Sequence, residues 1–206
     1  MSADRRPLVA VLDYGIGNLR SAQKALERVG ADARLTDDAA LVADAAGVVL
    51  PGVGAFGRSM EALRDAGLDG VALKAIAADV PFLGICVGMQ LLYEGSEESP
   101  QHAGLGVLAG MVRRLPEGVK HPQMQWNLVE AVGRCPLVDG LEEPLWAYFV
   151  HSFAPPPGPH VVATCDYGGP VVAAVQRGRL WATQFHPEKS GRTGLGVLAN
   201  FVASLS

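Results

Sequence analysis

The chain has 206 residues, 49% of them hydrophobic, enough to bury a core without disulfides or a structural metal. Its 17 Lys+Arg against 21 Asp+Glu leave a net charge of −4, so no basic surplus exists to neutralise a nucleic-acid backbone. No apolar run reaches the ~18 to 20 residues of a membrane span, and the opening MSADRRPLVAVLDYG enters a strand-like pattern too early for a secretory leader, so a cytoplasmic protein is expected.

The first half alternates short β-branched runs with helical periodicity. LVAVLD at 8–13, GVVL at 47–50 and VPFLGI at 80–85 predict parallel strands. Between them, Leu19, Ala22, Leu26 and Val29 follow a cap at Asn18, and Phe56, Met60 and Leu63 precede Gly67, which predicts two helices packing one face on the sheet. From Leu105 to about Gln184 the runs NLVEAV, LWAYFV, HVVATC, PVVAAV and LWATQF lie between Gly, Pro and Asp turns and predict further antiparallel or mixed strands. APPPGP at 154–159 reads as a stiff surface loop, and a last helix carries Leu195, Leu198, Val202 and Leu205 on one face. The expected architecture is a single α/β domain over 1–206, a mostly parallel central sheet flanked by helices with antiparallel strands in its second half.

Cys86, Cys135 and Cys165 are an odd number without CxxC or zinc spacing, so neither a disulfide scaffold nor a metal site is expected. Cys86 differs in its setting. In PFLGICVGMQLLYEG it stands between Gly84 and Gly88, after an apolar strand and before a helix carrying Leu91 and Leu92, the thiol counterpart of a nucleophile elbow. There the glycines allow close backbone approach, the central residue is strained and presented outward, and the helix N-terminus favours an anion. A buried packing cysteine is the plain alternative.

In LWATQFHPEKSG the strand ends at His186, which Pro187 holds extended, and Glu188 is close enough to accept a hydrogen bond from one ring nitrogen, leaving the other for a nucleophile. In VVLPGVGAFG at 48–57, the Gly52 to Gly54 segment, with the amide of Val87, can aim N–H groups at a developing oxyanion. A structural strand-end histidine and a simple strand-to-helix turn are the respective alternatives.

These motifs, in this order, resemble the class I (triad) glutamine amidotransferases over nearly the whole chain. Within that family LDYGIGNLRS, PGVGAFG, GICVGMQLLYEGSEES, MQWN, YFVHSF and QFHPEKSG are most similar to glutaminase subunits of histidine biosynthesis. The resemblance implies Cys86 as nucleophile, His186 as general base and then acid, Glu188 as its orienter, and amides at Gly52, Val53 and Val87 as the oxyanion hole. It implies that glutamine is held by Gln90, Glu98 and the backbone of His151, Ser152 and Phe153. It further implies no cofactor, and a heterodimer with a (β/α)8-barrel cyclase subunit that receives the ammonia through a channel.

One departure is Gln125, where the family's run carries glycine, which puts the coupling between subunits in question. His102, His121 and His160 have no carboxylate or cysteine neighbour in sequence and read as loop or surface residues, with His151 set apart by the resemblance alone. Trp126 and Trp146 read as core or interface, Arg113 and Arg114 as a solvated strand end, and the PGVGAF and MQWN loops as candidate interface. Rival functions are a class I glutaminase of another pathway, a stand-alone cysteine hydrolase, and a non-catalytic binding subunit, the last expected to lack Cys86 or His186.

Overall fold

A computed structural model describes residues 6–205; residues 1–5 and 206, at the ends of the expected domain and including the start of the opening read as too short for a secretory leader, lie outside the described residues. The strands β1 (Leu8–Leu12), β3 (Gly47–Gly52) and β4 (Phe82–Cys86) form where the apolar runs place them. β3 and β4 are buried at every position, the signature of parallel strands covered on both faces. Pro51 sits in β3 beyond the last residue that pairs with β1, so its missing N–H breaks no ladder there.

An eight-stranded sheet follows the order β2-β1-β3-β4-β13-β12-β11-β8. Its first five strands, with β2 at Asp32–Thr36 and β13 at Leu180–Thr183, are parallel. Its last three, β12 (Pro170–Arg177), β11 (Val161–Asp166) and β8 (Glu130–Ala131), are antiparallel. Two small sheets join it: β10 (Phe153–Ala154), β6 (Leu108–Arg114) and β5 (Tyr93–Ser96) in one, and β7 (Gln123–Leu128) with β9 (Trp146–His151) in the other.

The helices α1 (Leu19–Arg28) and α3 (Phe56–Asp65) bury Ala22, Ala25 and Leu26 and Phe56, Met60 and Leu63, the faces read from their spacing. β2, α2 (Ala39–Asp44) and α4 (Leu68–Ala77) were not anticipated. DARLT is a half-exposed edge strand without an apolar run, and LDGVALKAIA is apolar nearly all round, so neither shows a clean period.

Four expectations are corrected. The helix after Cys86 is a single turn, α5 (Val87–Gln90), which ends before Leu91 and Leu92 because the chain turns into β5. MQWN is not a loop but most of β7, and NLVEAV is split between β7 and β8. The last helix, α6 (Gly191–Ala203), fully buries Gly194, Val197, Leu198 and Phe201, a face rotated from the expected one, and Leu205 lies past its end. Ala154 and Pro155 are buried, so the proline-rich loop is a surface segment only from its third residue.

Candidate active site

Cys86 ends β4 with φ 55° and ψ −112°, a left-handed backbone that costs a non-glycine residue energy and that the surrounding packing must enforce. That packing explains the flanking glycines. A Cβ on Gly88 would lie 1.9 Å from the Leu50 carbonyl oxygen, and one on Gly52 2.5 Å from the Gly88 amide. β3 and the elbow therefore touch backbone to backbone, which sets Cys86 on the wall of an open pocket of about 560 Å³.

His186 reaches the same wall from the end of β13. Its backbone is extended before Pro187, its N–H donates to the Tyr148 carbonyl, and its own carbonyl accepts from the Ser190 hydroxyl at 2.6 Å. Ser190 in turn accepts from the Tyr148 amide, so β9 grips both ends of this turn. The ring Nδ1 lies 2.8 Å from Glu188 Oε1, with both side chains 2% exposed. Nε2 is buried without a hydrogen-bond partner, and Cys86 lines the same pocket as His186. Burial pushes the imidazole down, but the Cys86 thiol and the Glu188 carboxylate outweigh it and raise its pKa to about 10. Both neighbours thus favour the charged form of the ring.

The structure brings the other predicted residues around this pair. Val53, Val87, Gln90, Glu98, His151, Ser152 and Phe153 all line the pocket. Gly52 does not; it packs beneath the elbow, and Gly54, with φ +83°, borders the pocket in its place. Glu98 is anchored by accepting the Phe56 amide at 2.7 Å at the start of α3, where the helix dipole favours a carboxylate. His151 is buried, with Nδ1 2.9 Å from the Phe153 carbonyl and Nε2 without a partner. Burial, opposed by that carbonyl and reinforced by His186, lowers its pKa to about 4, so it is neutral.

Four residues were missed as parts of the site. Gln184 places Nε2 3.7 Å from the Cys86 sulfur. Its signal was available, since alternation along an extended chain puts residues 184 and 186 on one side. Asn18 was read as a helix cap, but its side chain makes no cap bond and instead donates to Glu188 Oε1 at 3.3 Å. Tyr14 and Ser59 donate to the carbonyls of Pro51 and Val53, and no local pattern announces that.

Of the surface readings, Arg113 and Arg114 are exposed at the end of β6 as expected. Trp126 and Trp146 are about half exposed rather than core, and His102 has a carboxylate partner after all, Glu61 at 2.7 Å. Among the described residues no helix is long and apolar enough to cross a membrane.

The sequence matches the model of the family described as glutamine amidotransferase class-I over residues 10–205. Among solved structures, a chain of PurLQS from Thermotoga maritima superposes with a TM-score of 0.78 at 22% identity, covering 98% of this chain and 100% of that one. Another, described as a glutamine amidotransferase, gives 0.71 at 24% identity, covering 96% and 97%. The fold is therefore theirs, and the chain belongs to the class I glutamine amidotransferase family.

Its relatives narrow the branch. A Deinococcus radiodurans protein is 53% identical across 97% of this chain and 95% of its own length. One from Symbiobacterium thermophilum is 50% identical across 94% and 92%, and one from Methanothermobacter thermautotrophicus 47% identical across 95% and 98%. All three are described as imidazole glycerol phosphate synthase subunit HisH, and it is with these subunits that the sequence groups.

Proposed function

We propose that this chain hydrolyses glutamine to glutamate and ammonia, and that it passes the ammonia to a (β/α)8-barrel cyclase subunit of imidazole glycerol phosphate synthase, with which it forms a heterodimer. The observation that carries the reaction is the convergence of a strained, pocket-facing Cys86 with a buried His186–Glu188 pair.

In this reading the Cys86 sulfur attacks the side-chain amide carbon of glutamine. A C–S bond forms and the carbonyl electrons move to oxygen, where the amides of Val53 and Val87 receive the negative charge. The oxyanion collapses, the C–N bond breaks, and the proton on His186 goes to the departing nitrogen, which leaves as ammonia. Neutral His186 then takes a proton from water, whose oxygen attacks the γ-glutamyl thioester. The C–S bond breaks, and glutamate and the thiolate–imidazolium pair are restored. Glu98 offers charge to the α-ammonium of the substrate, while Gln90 and the 151–153 backbone bound the rest of it. The cyclase then joins the ammonia to a phosphoribulosyl-formimino aminoimidazole carboxamide ribonucleotide.

The partner reading rests on the relatives' description as a subunit and on an apolar surface. Met124, Trp126 and Leu128 alternate onto one face of β7 at 62%, 48% and 36% exposure, and Trp146 lies across from Leu128 in β9 at 45%. Gln125 alternates to the opposite face, away from Trp126.

The test measures glutamate release by the purified chain, alone and with a histidine-pathway cyclase and its nucleotide substrate, for wild type and Cys86→Ser. Steep activation in the full mixture, abolished by Cys86→Ser while the ammonia-dependent reaction persists, is the expected result. High activity alone, unchanged by the cyclase, would move the chain to another glutaminase or to a stand-alone hydrolase.

A further inference from the structure

The side-chain amides next to Cys86 form a directed chain. The Phe153 carbonyl can only accept, and Gln90 Nε2 lies 2.9 Å from it, so the Gln90 amide group is oriented with its NH2 toward Phe153. That same nitrogen lies 3.1 Å from Gln184 Oε1. Gln184 therefore has its oxygen facing Gln90 and its NH2 facing the other way, where the sulfur of Cys86 is 3.7 Å distant. Gln90 is 3% exposed and Gln184 0%, so water does not compete with these bonds, and neither amide can flip without setting like against like.

We propose that Gln184 is a catalytic residue, a hydrogen-bond donor to the Cys86 thiolate held in that role by the Phe153–Gln90 relay. A donor aimed at sulfur favours the anion over the neutral thiol, because the thiolate accepts a hydrogen bond more strongly than the thiol does. His186 supplies the positive charge on one side of the sulfur and Gln184 a fixed dipole on another. The dipole persists when His186 gives up its proton, which keeps the thiolate a good leaving group when water later cleaves the thioester. The inference rests on the reading of Cys86 as nucleophile.

Its test uses the whole chain and follows iodoacetamide alkylation of Cys86 by peptide mass spectrometry from pH 5 to 10, in parallel with glutamine turnover in the cyclase complex. Gln184→Met keeps the volume and removes the donor. Alkylation at pH 7 is expected to slow about tenfold, the size of one hydrogen bond to a charged group, with the rate profile displaced to higher pH. Gln90→Met leaves Gln184 in place but releases its orientation, and is expected to shift the profile the same way by a smaller amount, which keeps the test open should Gln184→Met fail to fold. An unchanged alkylation profile in folded Gln184→Met would overturn the role of Gln184, and one in folded Gln90→Met the relay that holds it there, while leaving the triad intact. A wild-type Cys86 no more reactive than a free thiol, together with glutamine turnover that survives Cys86→Ser, would overturn the nucleophile itself.

Discussion

The Tyr14 hydroxyl donates to the Pro51 carbonyl across 2.6 Å, tying the turn after β1 to the last residues of β3. Ser59 does the same one step on, donating to the Val53 carbonyl at 3.3 Å. Two buried hydroxyls thus hold alternate carbonyls of the segment that packs against Val87 and Gly88 at the pocket's edge. Burial and the nearby Cys86 raise the Tyr14 hydroxyl well above its ordinary pKa, so it stays a donor across the working range.

Tyr14→Phe should leave the Pro51 carbonyl buried and unpaired, at a cost of about 1–3 kcal/mol. We expect a lowered melting temperature and a several-fold fall in kcat for glutamine, with KM little changed. Steady-state kinetics beside thermal unfolding will separate the two effects; a fall in stability with an unaltered kcat would reduce the clamp to a purely structural device.

The roles around the imidazole should rank by what each change removes. His186→Ala removes the proton carrier and should cost roughly 10²–10⁴ in rate. Glu188→Gln keeps an oxygen that can accept from Nδ1 and should cost less, and Asn18→Ala, which withdraws one donor from Glu188 Oε1, less again. Single-turnover hydrolysis in the cyclase complex gives the order, and an equal loss for all three in folded protein would contradict it.

Two buried histidines give stability opposite pH dependences. His186 is raised to about 10, so the native state holds a proton that the unfolded chain releases near its ordinary value of 6.5. Its contribution is complete below that value and is lost as pH rises through about 10. His151 is lowered to about 4, so its contribution is present above 6.5 and is lost as pH falls through about 4. Melting temperature against pH should therefore show a flatter alkaline limb in Glu188→Gln and a flatter acid limb in His151→Phe than in wild type.

The β7–β9 face should matter to association rather than to folding. Replacing Met124 and Trp126 together by Ala removes exposed side chains, so the isolated chain should melt within a few degrees of wild type. Affinity for the cyclase, measured by titration calorimetry, should fall at least tenfold, since exposed aromatics are the usual anchors of an interface. Undiminished affinity would place the interface elsewhere.

Gly88→Ala should be severe for a reason unrelated to chemistry: its Cβ has no room beside the Leu50 carbonyl. A loss of about 3 kcal/mol or more, or no soluble folded protein, is expected by denaturant unfolding.

Much of this was legible in the sequence because it was local. The elbow GICVG, the strand-ended HPE and the fully apolar strands carry their roles within a few residues. What the sequence hid was either weakly patterned or remote. DARLT lies at a sheet edge, where half its side chains face water and no alternation is required. Asn18 satisfies the composition of a helix cap, and only the fold reveals that Glu188, 170 residues away, takes its side chain instead. The amide chain from Phe153 to Cys86 joins β10, α5, the segment after β13 and the end of β4, and no single window contains it.

Gln90 spends both of its amide hydrogens inside the protein, one on Phe153 and one on Gln184. What it can present to a ligand is therefore an oxygen and nothing else. A carboxamide can give that oxygen a hydrogen, while a carboxylate can only oppose it with another oxygen. If glutamine's side chain lies against Gln90 in the proposed reaction, its carboxamide gains there a hydrogen bond that the product's carboxylate lacks.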